Sequence, residues 1–146
     1  MSSELAQALK TLQGFNALGD AALEQIIPFA SVRLVRAGET IFCQGEPSPF
    51  FFGVLSGEIM IQHISKDGQF PSRVLGIIES SGLFGESSLF EDMLRMAMAT
   101  ASKDGKLAVI RGQELREWMR QNPEAAQPLL LALLRTLHTR LRQTNS

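Results

Sequence analysis

One cysteine, two histidines and no surplus of either charge are what this 146-residue chain brings to chemistry. A single thiol, Cys43, excludes a disulfide framework or a cysteine-based metal site within one chain. In its apolar, strand-like stretch it is expected to be buried packing. His63 and His138 are far apart, so the histidine cluster that a metal-binding β-barrel needs is missing and no metal-ligating residue is assigned. Serines at 80, 81, 87 and 88 are not set in a Gly-x-Ser-x-Gly elbow. No catalytic residue is assigned, and the chain is not read as an enzyme.

Fourteen Lys and Arg stand against fifteen Asp and Glu, for a net charge of −1. That near-balance argues against nucleic acid or an anionic membrane as the main partner. The longest nearly apolar run, Pro128 to Leu134, is far short of the ~20 residues of a membrane helix, and the N-terminus has no basic-then-apolar signal. A soluble, cytoplasmic protein is expected. The length suits one domain, 1–146, without linker or internal repeat.

Periodicity divides that domain in three. Leu5, Leu9 and Leu12 recur at helical spacing, then Leu23, Ile26 and Ile27 follow Asp20 as an expected N-cap, with Pro28 ending the helix; residues 1–29 are read as N-terminal helices. Short β-branched and aromatic runs punctuated by glycine predict strands near 31–36, 40–43, 50–56, 58–65, 69–78, 95–101 and 106–111. Asp67-Gly68 and Asp104-Gly105 are read as hairpin turns. The region 30–111 is thus a small antiparallel roll, with Phe50-Phe51-Phe52 in its core. Residues 112–146 return to helical spacing, with Leu115, Trp118 and Met119 on one face. Asn122 is placed as an N-cap and Pro123 in the first turn, but Pro128 favours a final helix from about 128. The stripe Leu130, Leu134, Leu137, Leu141, widened by Leu133, is read first as core packing. Helices, sheet, helices is an α+β order.

The chemistry concentrates in residues 82–101. Gly82 and Gly85 let the backbone turn tightly and approach a ligand without a Cβ, and a helical turn after Glu86 would aim free N–H groups at an anion. Arg95 is the only cation between Arg73 and Lys103. Its guanidinium suits bidentate pairing with phosphate oxygens. The plain alternative is a strand residue paired with Glu91 or Asp92. Glu86 would repel a phosphate, so it suits a ribose hydroxyl, or else it is a carboxylate favoured at a helix start.

Phe84-Gly85-Glu86, Leu89, Arg95, Ala97 and Ala101 resemble the phosphate-binding cassette of cyclic nucleotide-binding domains. The similarity extends through Ala37-Gly38-Glu39, Gln44-Gly45-Glu46 and Phe52-Gly53-Val54-Leu55-Ser56-Gly57-Glu58, so it covers most of the chain. The resemblance, to catabolite activator protein-like regulators in particular, implies an antiparallel β-roll of double-stranded jelly-roll type, of about eight strands, flanked by N- and C-terminal helices. It implies a ligand rather than a cofactor, cyclic AMP with cyclic GMP as the second choice. The ligand would be held by Phe84, Gly85, Glu86, Ser87, Ser88, Arg95, Met96 and Ala97. A hydrophobic lid is implied on the last helix, with Leu134, Leu137 and His138 as candidates. That helix would also serve a homodimer or an unknown protein partner. Met96 and Met98 stand where the family has small or hydroxyl residues, and Leu94 where it has proline; the missing hydroxyl after Arg95 tilts the choice towards cyclic AMP. The sequence shows no helix-turn-helix after the long helix, so a stand-alone or excised sensor that does not bind DNA is expected. A roll that has lost its ligand and serves as an interaction or dimerisation module, and a roll for another small anion, are the alternatives.

Overall fold

A computed structural model describes residues 2–65, 73–90 and 93–145. Helix α1 (Ser2–Leu9) and helix α2 (Asp20–Ile26) precede eight strands: β1 (Ala30–Val35), β2 (Thr40–Phe42), β3 (Phe50–Ser56), β4 (Ile59–His63), β5 (Arg73–Ile78), β6 (Leu83–Phe84), β7 (Met98–Ala101) and β8 (Gly105–Arg111). Helix α3 (Gly112–Gln121) and helix α4 (Pro123–Asn145) close the chain. The strands form two four-stranded antiparallel sheets, ordered β1-β8-β3-β6 and β2-β7-β4-β5. Successive strands cross between the sheets except β4 and β5, which pair as neighbours in the second, as in a double-sheet jelly roll. The α+β roll with flanking helices is therefore the architecture.

Strands β3 and β8 of the first sheet are buried on both faces, which explains their unbroken apolar runs, whereas β1 exposes Val32 and Leu34. Side chains alternate across a strand. On β3, Phe51 faces the helices while Phe52 and Val54 face the roll interior; on β8, Ala108 and Ile110 face the helices and Leu107 the interior. One cluster thus joins the sheet to Leu9, Leu12, Phe15, Leu23, Ile26, Leu115, Trp118 and Leu129. The other fills the space between the sheets with Phe52, Phe84, Ile59, Ile61 and Ala99. Phe52 and Phe84 stack with ring centres 4.9 Å apart.

Several expectations shift at this level. Phe51 and Phe52 are core, but the Phe50 side chain is exposed. Strand β6 lies within the stretch read as cassette loop, too short to leave a periodic signal. The strand expected over 95–101 begins only at Met98, because Arg95 instead exchanges backbone bonds with the Gly45–Glu46 turn, Gly45 N to Arg95 O at 2.8 Å and Arg95 N to Glu46 O at 2.8 Å. Asp104-Gly105 makes no hairpin, since β7 and β8 belong to different sheets. The Asp104 carboxylate accepts from Ala37 N at 2.8 Å, fixing a corner instead. The Asp67-Gly68 turn lies outside the described residues. Cys43 is exposed at the end of β2 rather than buried.

The helices shift as well. Asp20 is the first residue of α2 rather than its cap, and its carboxylate pairs with Lys10 at 2.7 Å. Helix α4 starts at Pro123 and runs through Pro128. The proline removes one bond, to the exposed Glu124 in the first turn, while Ala126, Leu129, Ala132 and Leu133 are buried on the core. Burial outweighs the missing bond. Asn122 accepts the first α4 bond through its carbonyl, from Ala126 N at 2.9 Å, but its side chain donates to Trp118 O, closing α3. With that inner face fixed, Leu130, Leu134, Leu137 and Leu141 are left outside the core, and Leu134 is 63% exposed. Among the described residues no helix is long and apolar enough to cross a membrane.

Candidate ligand-binding site

Gly85 begins the site. Its φ of 80° and ψ of 27° are left-handed, a conformation glycine takes without a Cβ penalty, and it starts a single 3-10 turn, Glu86–Leu89. A Cβ there would lie 2.9 Å from the Phe52 ring and 3.2 Å from Arg95 Nη1. The turn is closed by Ser88 N to Gly85 O at 3.2 Å and by Ser88 Oγ to the same carbonyl at 2.8 Å. It rests on the start of α3: a Cβ at Gly112 would meet the Ser88 carbonyl at 2.3 Å.

Arg95 is buried, 4% exposed, beneath this turn. Nη1 donates to Gly85 O at 3.1 Å and to Ser87 Oγ at 3.2 Å, and Nη2 donates to Phe50 O at 2.6 Å. The guanidinium carbon lies 4.0 Å from the centre of the Phe42 ring, within cation–π range. Burial lowers its pKa to about 10, against the opposing fields of Glu86 and Glu46, so it is charged at neutral pH. Nε–H has no hydrogen-bond partner among the described residues. Unpartnered buried donors are rare in folded proteins, and on a buried cation they mark a place for an acceptor.

A cavity of about 460 Å³ opens beside Arg95. The roll contributes Phe42, Ile61, Leu75 and Ala97; the cassette contributes Gly85, Glu86 and Ser87; α4 contributes Leu137, Arg140 and Leu141. Its wall is largely apolar, with Arg95, Arg140 and Glu86 as charged groups. A largely apolar wall with a few charged groups is the usual make-up of a small-molecule pocket. Among the described residues no group of His, Cys, Asp or Glu is arranged to hold a metal ion.

The sequence-predicted residues distribute unevenly around this cavity. Gly85, Glu86, Ser87, Arg95, Met96 and Ala97 line it, with Met96 72% exposed at its edge. Phe84 is fully buried in the aromatic stack under the cassette, and Ser88 is buried with its hydroxyl turned to Gly85 O. Of the lid candidates, Leu137 lines the cavity, Leu134 lines a neighbouring apolar groove between α3 and α4, and His138 is exposed and lines neither. Glu91 and Asp92 lie outside the described residues. Among the described residues Arg95 pairs with backbone carbonyls and the Ser87 hydroxyl. Two residues escape sequence reasoning: Phe42, whose ring supports Arg95, and Arg140, whose Nη1 donates to both Glu86 oxygens at 3.0 and 3.1 Å. Neither has a local signal, since each reaches its partner in the cassette across more than fifty residues.

The cyclic nucleotide-binding domain family profile matches residues 32–122. The chain belongs to that family. It is 33% identical over 109 residues to the CRP-like cAMP-activated global transcriptional regulator of Mycobacterium tuberculosis, covering 75% of this chain and 46% of the relative. The chain spans about half the length of the curated relatives it matches. Among solved structures, the N-terminal domain of a transcriptional regulator from Streptomyces coelicolor superimposes with a TM-score of 0.66 at 32% identity, covering 94% of this chain and 92% of that one. Thermus thermophilus catabolite activator protein superimposes with a TM-score of 0.72 at 26% identity, covering 90% and 61%.

Proposed function

We propose that the chain is a non-enzymatic sensor of cyclic AMP. The phosphate docks on Arg95 and on the cassette backbone after Gly85, the ribose on Glu86, and the base lies between the roll and the α4 residues Leu137 and Leu141. The observation that carries this reading is the buried Arg95, braced by two carbonyls and Phe42 and keeping an unpartnered Nε–H beside a largely apolar cavity. Met96 brings no hydroxyl to the pocket edge, which favours adenine over guanine. Binding shifts the population of α4 positions, and α4 transmits the change. Thermal unfolding with cyclic AMP, cyclic GMP and 5′-AMP tests the proposal. At 100 times its Kd a ligand stabilises by about 2.7 kcal/mol. Cyclic AMP is expected to raise the Tm most and 5′-AMP not at all; no rise with any at millimolar concentration would refute the sensor.

A second reading rests on the exposed Leu130, Leu134, Leu137 and Leu141. It makes α4 a contact surface for a second copy of the chain or for another protein. Light scattering of the Leu134→Glu protein tests this: a dimer that the substitution leaves intact does not use this face.

A further inference from the structure

We propose that Arg140 is a built-in competitor for the ligand: by occupying Glu86 it holds the end of α4 against the cassette, and nucleotide binding must displace it. The inference rests on the cyclic nucleotide reading of the pocket. Glu86 and Arg140 face each other across the cavity from elements 54 residues apart, one in the cassette and one near the end of α4. A single nitrogen, Nη1, takes both carboxylate oxygens, and the two side chains are only 15% and 24% exposed, for Arg140 and Glu86 respectively. A ribose hydroxyl seeking that carboxylate finds the guanidinium already in the space between cassette and helix.

The contact is placed to move more than one side chain. Leu137 and Leu141 lie three residues before and one after Arg140, so all three share one face of α4, and all three line the cavity. Displacement of Arg140 from Glu86 lets both leucines shift with it and settle over the base. The fully buried face of α4 ends at Leu133, and beyond it the helix runs beside β5, where Ile77 and Ile78 lie opposite Thr136, Thr139 and Arg140. The Glu86–Arg140 pair is a polar tie between the cassette and the last turns of α4. Ligand and latch use the same carboxylate, and by linkage whatever weakens the latch strengthens ligand binding.

The test compares the wild-type chain with Arg140→Ala and Arg140→Lys, measuring cyclic AMP affinity by calorimetry and amide hydrogen exchange over 137–143 with and without cyclic AMP. Arg140→Ala is expected to bind about fivefold more tightly, the factor that follows from losing a partly exposed ion pair. Arg140→Lys, which keeps the charge, falls between it and the wild type. Without ligand, exchange over 137–143 should be several-fold faster in Arg140→Ala than in the wild type, and saturating cyclic AMP should make the two alike. Equal or weaker binding by Arg140→Ala would overturn the proposal, because Arg140 would then be a bystander or a ligand contact. Absence of binding by both proteins would overturn the nucleotide reading itself. The exchange rates then decide the latch alone, and rates unchanged by Arg140→Ala would overturn it too.

Discussion

The two walls of the cavity are built on different principles. On the roll side, Arg95 is enclosed by Gly85 O, Ser87 Oγ, Phe50 O and the Phe42 ring, and Gly85 has no room for even a methyl group. On the helix side, Leu137 and Leu141 are exposed and one ion pair, Arg140 to Glu86, spans the gap. The first wall has its donors fixed before any ligand arrives, which lowers the ordering cost of binding. The second is built from partly exposed side chains, which can shift at lower cost to packing. A sensor needs both, since a rigid wall gives affinity and a movable one gives a signal.

That comparison is broken most severely at Arg95. Arg95→Ala removes the pocket's braced cation, and with charge-assisted bonds contributing roughly 1.5–3 kcal/mol each, cyclic AMP affinity should fall about a thousandfold by calorimetry. The next effect is on stability. Gly85→Ala forces a side chain into left-handed backbone and against the Phe52 ring, at a combined cost of about 3 kcal/mol in chemical denaturation. The movable wall should respond the other way round: Leu137→Ala costs about 1 kcal/mol of stability because the residue is 37% exposed, yet weakens ligand binding about fivefold through lost apolar cover. A result in which Leu137→Ala costs as much stability as Gly85→Ala would erase the distinction between the walls.

The smallest expected effect is in the pH dependence. Burial lowers the Arg95 pKa to about 10, so the guanidinium is charged below that value and affinity should be level from pH 7 to 9 and fall as pH rises through about 10. The sign for folding is opposite. Between about 10 and the ordinary arginine value the unfolded chain binds more protons than the folded one, so this group's contribution makes stability rise with pH there. Binding and denaturation measured across the same range separate the two slopes.

How far the sequence reached follows the same division. Gly85, Glu86 and Arg95 lie within one short stretch whose geometry is set by local turns, so spacing and residue type were enough to read them together. The strands of the roll were legible as apolar runs between glycines, although the corner at Asp104 looked like a hairpin, because a turn dipeptide does not reveal which sheet its flanking strands join. Phe42 and Arg140 were not legible as site residues. Their place depends on how β2 and α4 pack around the cassette, which no local pattern encodes. The α4 leucines misled for a related reason: a 4-3-4 stripe marks an apolar face without saying what lies opposite. The core took the neighbouring face, Ala126, Leu129, Ala132 and Leu133.

The most direct test of the central claim is a calorimetric titration of the wild-type chain and Arg95→Lys with cyclic AMP and 5′-AMP. The account predicts one saturable cyclic AMP site per chain, absent for 5′-AMP and weakened at least tenfold in Arg95→Lys, where the charge remains but the planar fork is lost. Cyclic AMP binding that Arg95→Lys leaves unchanged, or no cyclic AMP binding by the wild type up to millimolar concentration, would contradict it.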